Sequence, residues 1–200
     1  MTLDTLLFVI AGGIVLGAIY ALMATGLAVI WTTLGIFNFA HGAFIAAGAY
    51  IAWHVSSADA AGLGYFAGVI VAITGLFLIG VLFQLVLVRP FERQPNLVLL
   101  SVITTLAGAT VLENLLQVIW GVRAKQIEPG IPGDLNFAGI VVSKNEVALL
   151  VVVVIILLTL GIFLNRSTLG RSMRAVAQNR VAAQLMGLNV PKLYALSFGL

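Results

Sequence analysis

The side chains that could do chemistry in this sequence fall in three places. The first is Asn38-Phe39-Ala40-His41-Gly42, an amide and an imidazole set in a long apolar stretch. Spaced three apart on a helix, Asn38 and His41 would share a face. They could touch a translocated solute, steady the turn before the following helix, or hydrogen-bond a neighbouring helix. The second is Glu113, Asn114 and Gln117. Glu113 and Gln117 align four apart and could form a polar vestibule, although ending a helix at an interface is the simpler role. The third is the segment from Arg166 to Lys192, with Arg166, Arg171, Arg174, Arg180 and Lys192 and no acid. No hydrolytic triad, P-loop, dinucleotide fingerprint or zinc motif occurs. His54 is the only other histidine and lies about two-thirds of a span from His41, so no metal constellation forms. Cysteine is absent, which excludes disulfides, thiolate metal sites and cysteine nucleophiles from this chain.

The elements that must hold these groups follow from composition. Hydrophobic residues make up 62% of the chain and charged ones 8%, where a soluble domain carries about 25% charged residues. The charges are also segregated. No Asp, Glu, Lys or Arg occurs between Asp4 and Asp59, nor between Asp59 and Arg89. A charge in hydrocarbon costs roughly 2.5 kcal/mol or more, so such deserts are what a membrane span requires. The chain is too short to wrap them in a polar shell. The fold class is therefore all-α, a polytopic transmembrane bundle. The net charge of +3 is not a nucleic-acid signal, because no basic patch is interleaved with aromatics. Met1-Thr2-Leu3-Asp4 has no basic n-region, so the first apolar run reads as a retained helix and not a cleaved signal.

The spacing predicts five complete spans, at about residues 6–30, 37–55, 62–88, 97–119 and 147–164, and the start of a sixth. The second is short, holds Asn38 and His41, and is expected to be broken or buried within the bundle. Trp31-Thr32-Thr33-Leu34-Gly35 reads as an uncharged connection near the inner interface. Arginine bias sets orientation. Arg89 and Arg93 against Glu92 in the 89–95 turn, and the basic 166–192 segment, both read as cytoplasmic and lie two spans apart. The loop from Gly121 to Glu146 has three basic and three acidic residues and reads as external. Counting back puts the N-terminus, Asp4 and Asp59 outside. Asn38 and His41 then fall near the inner interface, which favours a bond to a neighbouring helix over contact with solute. Thr104 and Thr105 can hydrogen-bond their own backbone and need no ligand. Residues 194–200 read as the opening of another span, with Pro191 in its first turn. The 200 residues are thus expected to be part of a longer transmembrane domain.

Small residues must carry helix packing in lipid. Gly13, Gly17 and Ala21 line one face of the first span. Gly42 with Ala46, Ala43 with Ala47, and Gly64, Gly68 and Ala72 do so in the second and third. The Val- and Ile-rich fifth span has no glycine before Gly161 and suits the lipid-facing periphery. In the 166–192 segment, Ser167 or Thr168 can cap a short helix and Gly187 can end it. Met173, Ala177 and Val181, extended by Val176 and Leu185, give an apolar stripe for the bundle, with Arg174 and Gln178 on another side. This describes a docking helix, or a basic loop on anionic headgroups.

Two segments carry a family resemblance. Gly35-Ile36-Phe37-Asn38-Phe39-Ala40-His41-Gly42 and Gly170-Arg171-Ser172-Met173-Arg174-Ala175 resemble the permeases of ATP-driven branched-chain amino acid importers. Many members have an acid after the His-Gly pair, where this chain has Ala43. Ala183-Gln184-Leu185-Met186-Gly187 is similar to the ATPase-contacting loop of importer permeases, without its usual leading Glu. The resemblance implies that Arg171, Arg174, Ala183 and Gly187 belong to a coupling element, and that Asn38, His41 and Gly42 are a family motif. It also implies a second related permease, two cytoplasmic ATPase subunits that carry ATP and magnesium, and an external solute-binding protein. No cofactor is expected on this chain. The location implied is a bacterial inner membrane. Urea and short-amide permeases share much of the pattern. An ion-coupled secondary transporter, or a channel-like subunit, are the competing classes.

Overall fold

The computed structural model describes residues 3–58, 60–92, 94, 96–137 and 140–200. Met1, Thr2, Asp59, Arg93 and Pro95, used above, lie outside the described residues, as does the side chain of Asp4. Helices dominate: α1 (Leu3–Leu34), α2 (His41–Ser56), α3 (Tyr65–Phe83), α4 (Leu97–Trp120), α5 (Lys144–Arg166), α6 (Thr168–Gln178), α7 (Arg180–Leu185) and α8 (Val190–Gly199). Among the described residues, four stretches are long and apolar enough to cross a membrane, Thr5–Leu34, Tyr65–Phe91, Leu97–Trp120 and Lys144–Arg166. The second expected span is helical for only 16 residues, about 24 Å at 1.5 Å per residue, and its first part, from Phe37 to Ala40, is not helical.

The chain forms two compact units, residues 1–26 with 129–167 and residues 27–128 with 168–200. The first unit contains the N-terminal part of α1, α5, and an antiparallel hairpin that the all-α reading did not foresee. Its strands β1 (Asp134–Phe137) and β2 (Ile140–Ser143) pair Asp134 with Ser143 and Asn136 with Val141. A β-branched run at Ile140-Val141-Val142 suits a strand more than a coil. Ser143 then caps α5, its hydroxyl accepting from the Asn145 amide. Glu146 in the first turn and Arg166 in the last complement the helix dipole. Along α5 only Val153 is buried. Gly13 and Gly17 in α1 have nothing within 4 Å of a would-be Cβ. The small-residue face expected to pack there meets no neighbour among the described residues.

The second unit is built around α2, with α3 and α4 packed on it. Here the expected small-residue stripes meet neighbours in part, through Ala43 with Ala47 and Gly68 with Ala72, whereas Gly42 and Gly64 have nothing within 4 Å of a would-be Cβ. A Cβ on Gly68 would lie 2.7 Å from the Ala52 carbonyl oxygen, and one on Gly48 would lie 2.6 Å from Leu76. Ala43, Ala47 and Ala72 are buried. The expected connection at residues 31–35 is instead the last turn of α1. Thr32 and Thr33 bond back to the Ala28 and Val29 carbonyls, so their polar groups are satisfied inside a helix. Gly35, at φ 65°, then stops it. At its C-terminal end α3 widens into a π-type turn at Gln84–Val88, followed by a tight turn at Arg89–Phe91. Helix α8 begins with Pro191 in its first turn, and its C-terminal part passes so close to α3 that Gly80 faces the Phe198 backbone.

Candidate functional site

The segment between α1 and α2 is the most constrained irregular backbone in the second unit. Ile36, Asn38 and Ala40 are buried, whereas Phe37 and Phe39 are exposed. Asn38 Oδ1 accepts from the Ala40 amide at 3.0 Å, an Asx-type turn that launches α2. The Phe39 amide donates to Thr105 Oγ1 at 3.1 Å. A buried amide without a partner costs about 1–3 kcal/mol, so Thr105 holds the break in register. Thr104 behaves as expected and bonds the Leu100 carbonyl at 2.8 Å. Thr105 does more than bond its own helix. Thr105 is the ninth residue of α4, about 12 Å from the helix start. The Phe39 amide thus meets α4 about a third of the way along that helix.

Asn38 and His41 do not share a helical face, because Asn38 precedes the helix that His41 begins. The sequence could not show this, since three-residue spacing means one face only if the chain is already helical. His41 is half-buried, and Gly42 is exposed with open space beside its α-carbon. Asn38 Nδ2 is buried and makes no hydrogen bond. Trp31 and Phe37 stack at 4.0 Å, with Phe39 edge-on to Phe37 at 6.3 Å. Aromatic rings therefore flank the break on its exposed side.

Glu113, Asn114 and Gln117 are all exposed on α4. Asn114 satisfies itself on the Thr110 carbonyl at 2.7 Å. Nearby, Tyr50 stacks on Trp120 at 5.6 Å, His54 meets Trp120 edge-on at 6.0 Å, and Lys125 Nζ sits 4.4 Å from the centre of the Trp53 ring. Amphipathic rings gathered at one end of two helices are what a membrane–water boundary favours.

The basic segment folds into two helices where one was expected. Asn179, extended at φ −155°, breaks the run and caps α7 through its side chain on the Ala182 amide. Gly187, at φ 84°, ends α7: its own amide bonds the Gln184 carbonyl, and the Leu188 amide bonds that of Ala183. This is the paired Schellman closure that glycine permits. The apolar stripe differs from the one expected. Gly170, Met173, Val176 and Ala183 are buried, while Ala177, Val181 and Leu185 are exposed. The break at Asn179 changes the helical phase, so a four-residue periodicity does not run through it. Arg171, Arg174 and Gly187 are exposed.

A further cluster was not singled out from the sequence. Glu92, on the turn between α3 and α4, is only 7% exposed. Gln84 Nε2 donates to its Oε1 at 2.6 Å. Arg180 Nη1 donates to the Glu92 backbone carbonyl at 2.7 Å, and Nη2 lies 3.7 Å from Oε2. The Arg180 guanidinium also lies 5.1 Å from the Tyr194 ring centre in α8. The signal was present: Gln84 is a lone amide in the apolar run before Arg89. What pairs it with Glu92 and Arg180 is a fold that joins positions 88 residues apart.

Comparison with known proteins agrees over nearly the whole chain. Residues 9–200 match the family described as branched-chain amino acid transport system, permease component. The high-affinity branched-chain amino acid transport system permease protein BraD of Pseudomonas aeruginosa is 29% identical, over 94% of this chain and 64% of its own length. The LivH permease proteins of the same description from Salmonella typhimurium and Escherichia coli K12 are 29% and 28% identical, over 93% of this chain and 63% of theirs. The chain thus spans somewhat less than two thirds of the curated relatives it matches. No solved structure matches it significantly. With its apolar helices, the irregular approach to α2 and its amphipathic basic segment in place, the chain belongs to the family of permease components of branched-chain amino acid transport systems.

Proposed function

We propose that this chain works as the transmembrane permease subunit of an ATP-dependent importer for branched-chain amino acids, in a bacterial inner membrane with the N-terminus outside. The observation that carries the reading is the family match over residues 9–200. The arrangement of α6 and α7 supports it. They turn Met173, Val176 and Ala183 inward and leave Val181, Leu185 and Met186 at 66%, 83% and 82% exposure on a basic, water-facing element. An apolar knob rimmed by arginine suits docking to another protein. In this reading the partner is one of two cytoplasmic ATPase subunits, which hold the ATP and magnesium. Arg171, Arg174, Ala183 and Gly187 form the coupling element. A second related permease and an external solute-binding protein complete the machine.

The pathway is assigned to the broken start of α2, around Asn38, His41 and Gly42. Irregular backbone at membrane depth is tolerated where it is buried in protein or lines a wet cavity, and transporters place solute sites at such breaks. Glu113, Asn114 and Gln117 are assigned to an outer vestibule. Ala43, in place of the acid many members carry, keeps urea and short amides as the second solute class. The test is affinity isolation of the full-length permease from mild detergent, followed by uptake in proteoliposomes rebuilt with whatever co-purifies. ATP-dependent uptake of leucine, isoleucine or valine is expected. Uptake of urea instead would change the solute. Uptake that follows an ion gradient without an ATPase would refute the reading.

A further inference from the structure

We propose that Arg180 is a positioning residue for energy coupling, a clamp that fastens the joint between α6 and α7 to the C-terminal end of α3. The inference rests on the permease reading above and adds a residue that the motif resemblance does not contain. Its basis is convergence. Through one guanidinium, the first residue of α7 reaches the Glu92 carbonyl at 2.7 Å, the Glu92 carboxylate at 3.7 Å and the Tyr194 ring at 5.1 Å. The carboxylate is held from its other side by Gln84, which is fully buried in the widened turn of α3. The turn after α3, the start of α7 and helix α8 thus meet at one cation.

Stability alone does not account for this cluster. A buried carboxylate is costly to desolvate, and an apolar substitute of similar volume often serves stability as well or better. An ion pair instead fixes which groups meet. Here the pair sits where the basic segment breaks between α6 and α7, with Asn179 capping the new helix. Helix α7 has only six residues, of which Ala183 is the one buried. A push on exposed Val181, Leu185 and Met186 therefore has two anchors through which to move the bundle, Ala183 packing and the Arg180 clamp. The clamp leads directly into α3, whose wide π-type turn at Gln84 is a local irregularity of the sort often found at functional positions. Lysine could supply the charge but not the planar fork that spans a carbonyl and a carboxylate together.

The test has two arms on the full-length permease. In detergent, without any partner, thermolysin cleavage beside Leu185 should be faster in Arg180→Ala than in wild type, with Arg180→Lys between them. In the reconstituted complex, Arg180→Ala and Glu92→Gln should each lower solute moved per ATP hydrolysed about fivefold or more, a typical size for coupling between sites. The ATPase should still co-purify, and the double variant should be no worse than the poorer single one. Unchanged thermolysin cleavage in Arg180→Ala refutes the clamp whatever the partners prove to be. Wild-type transport per ATP in that variant refutes its role in coupling, and so does loss of ATPase co-purification, which would make Arg180 a docking residue. A wild-type chain that brings down no ATPase refutes the permease reading instead, and the cleavage arm still decides the clamp.

Discussion

Helices α2 and α5 are both apolar, yet they are held by different physics. Helix α5 runs 23 residues from a serine cap to Arg166 with a single buried side chain, Val153. Its shape is set by propensity, capping and the solvent around it. Helix α2 is 16 residues long and buries Ala43, Ala47 and Gly48, with an approach segment held by Asn38 and Thr105. Its position depends on contacts that admit no extra atom. One helix needs only to be apolar, whereas the other needs particular neighbours.

The sharpest way to break that contrast is to add bulk to each region. Gly68→Leu would drive carbon into the Ala52 carbonyl at the α2–α3 contact and should cost about 1–3 kcal/mol or more. Thermal unfolding of the permease in detergent would measure it. Next in size, Thr105→Val removes the acceptor for the Phe39 amide and should cost about 1–3 kcal/mol. If Thr105 holds the transport break, uptake should fall further than the unfolding temperature suggests. A smaller global effect is expected from Gly187→Val, since a branched residue at φ 84° strains one turn by about 1–3 kcal/mol while leaving the bundle intact. It should uncouple ATP hydrolysis from uptake, as should charge reversal at Arg174, with membrane insertion unchanged. Normal coupling in both variants would remove the docking role from this segment. Smallest is Gly161→Leu on α5, which meets nothing within 4 Å and should shift stability by less than about 0.5 kcal/mol. Equal losses for Gly68→Leu and Gly161→Leu would erase the distinction between the two helices.

The same contrast explains what could be read in advance. The bounds of α4 and α5 agree with the apolar spans expected at 97–119 and 147–164 to within a turn, because water and hydrocarbon act on each residue separately. Gly187 was legible as a helix stop, and Pro191 as a first-turn residue, since both act through their own backbone. The hairpin at 134–143 was missed because a short β-branched run gains its pairing only from a second strand. The apolar stripe of the basic segment was misphased, because whether Asn179 caps a new helix or continues the old one turns on what the flanking residues bury.

From sequence alone came the solvent of the chain, its helical class, the segregation of arginine and the two motifs. These are properties of residues or of near neighbours, and single-residue transfer energies are large enough to settle them. Tertiary structure alone decided that Thr105 closes the break at Phe39, that Asn38 and His41 lie on different elements, and that Arg180 reaches Glu92. Each of these is a pairing between distant positions. Its energy exists only once the backbone has brought both partners within hydrogen-bonding reach, so no local pattern can carry it.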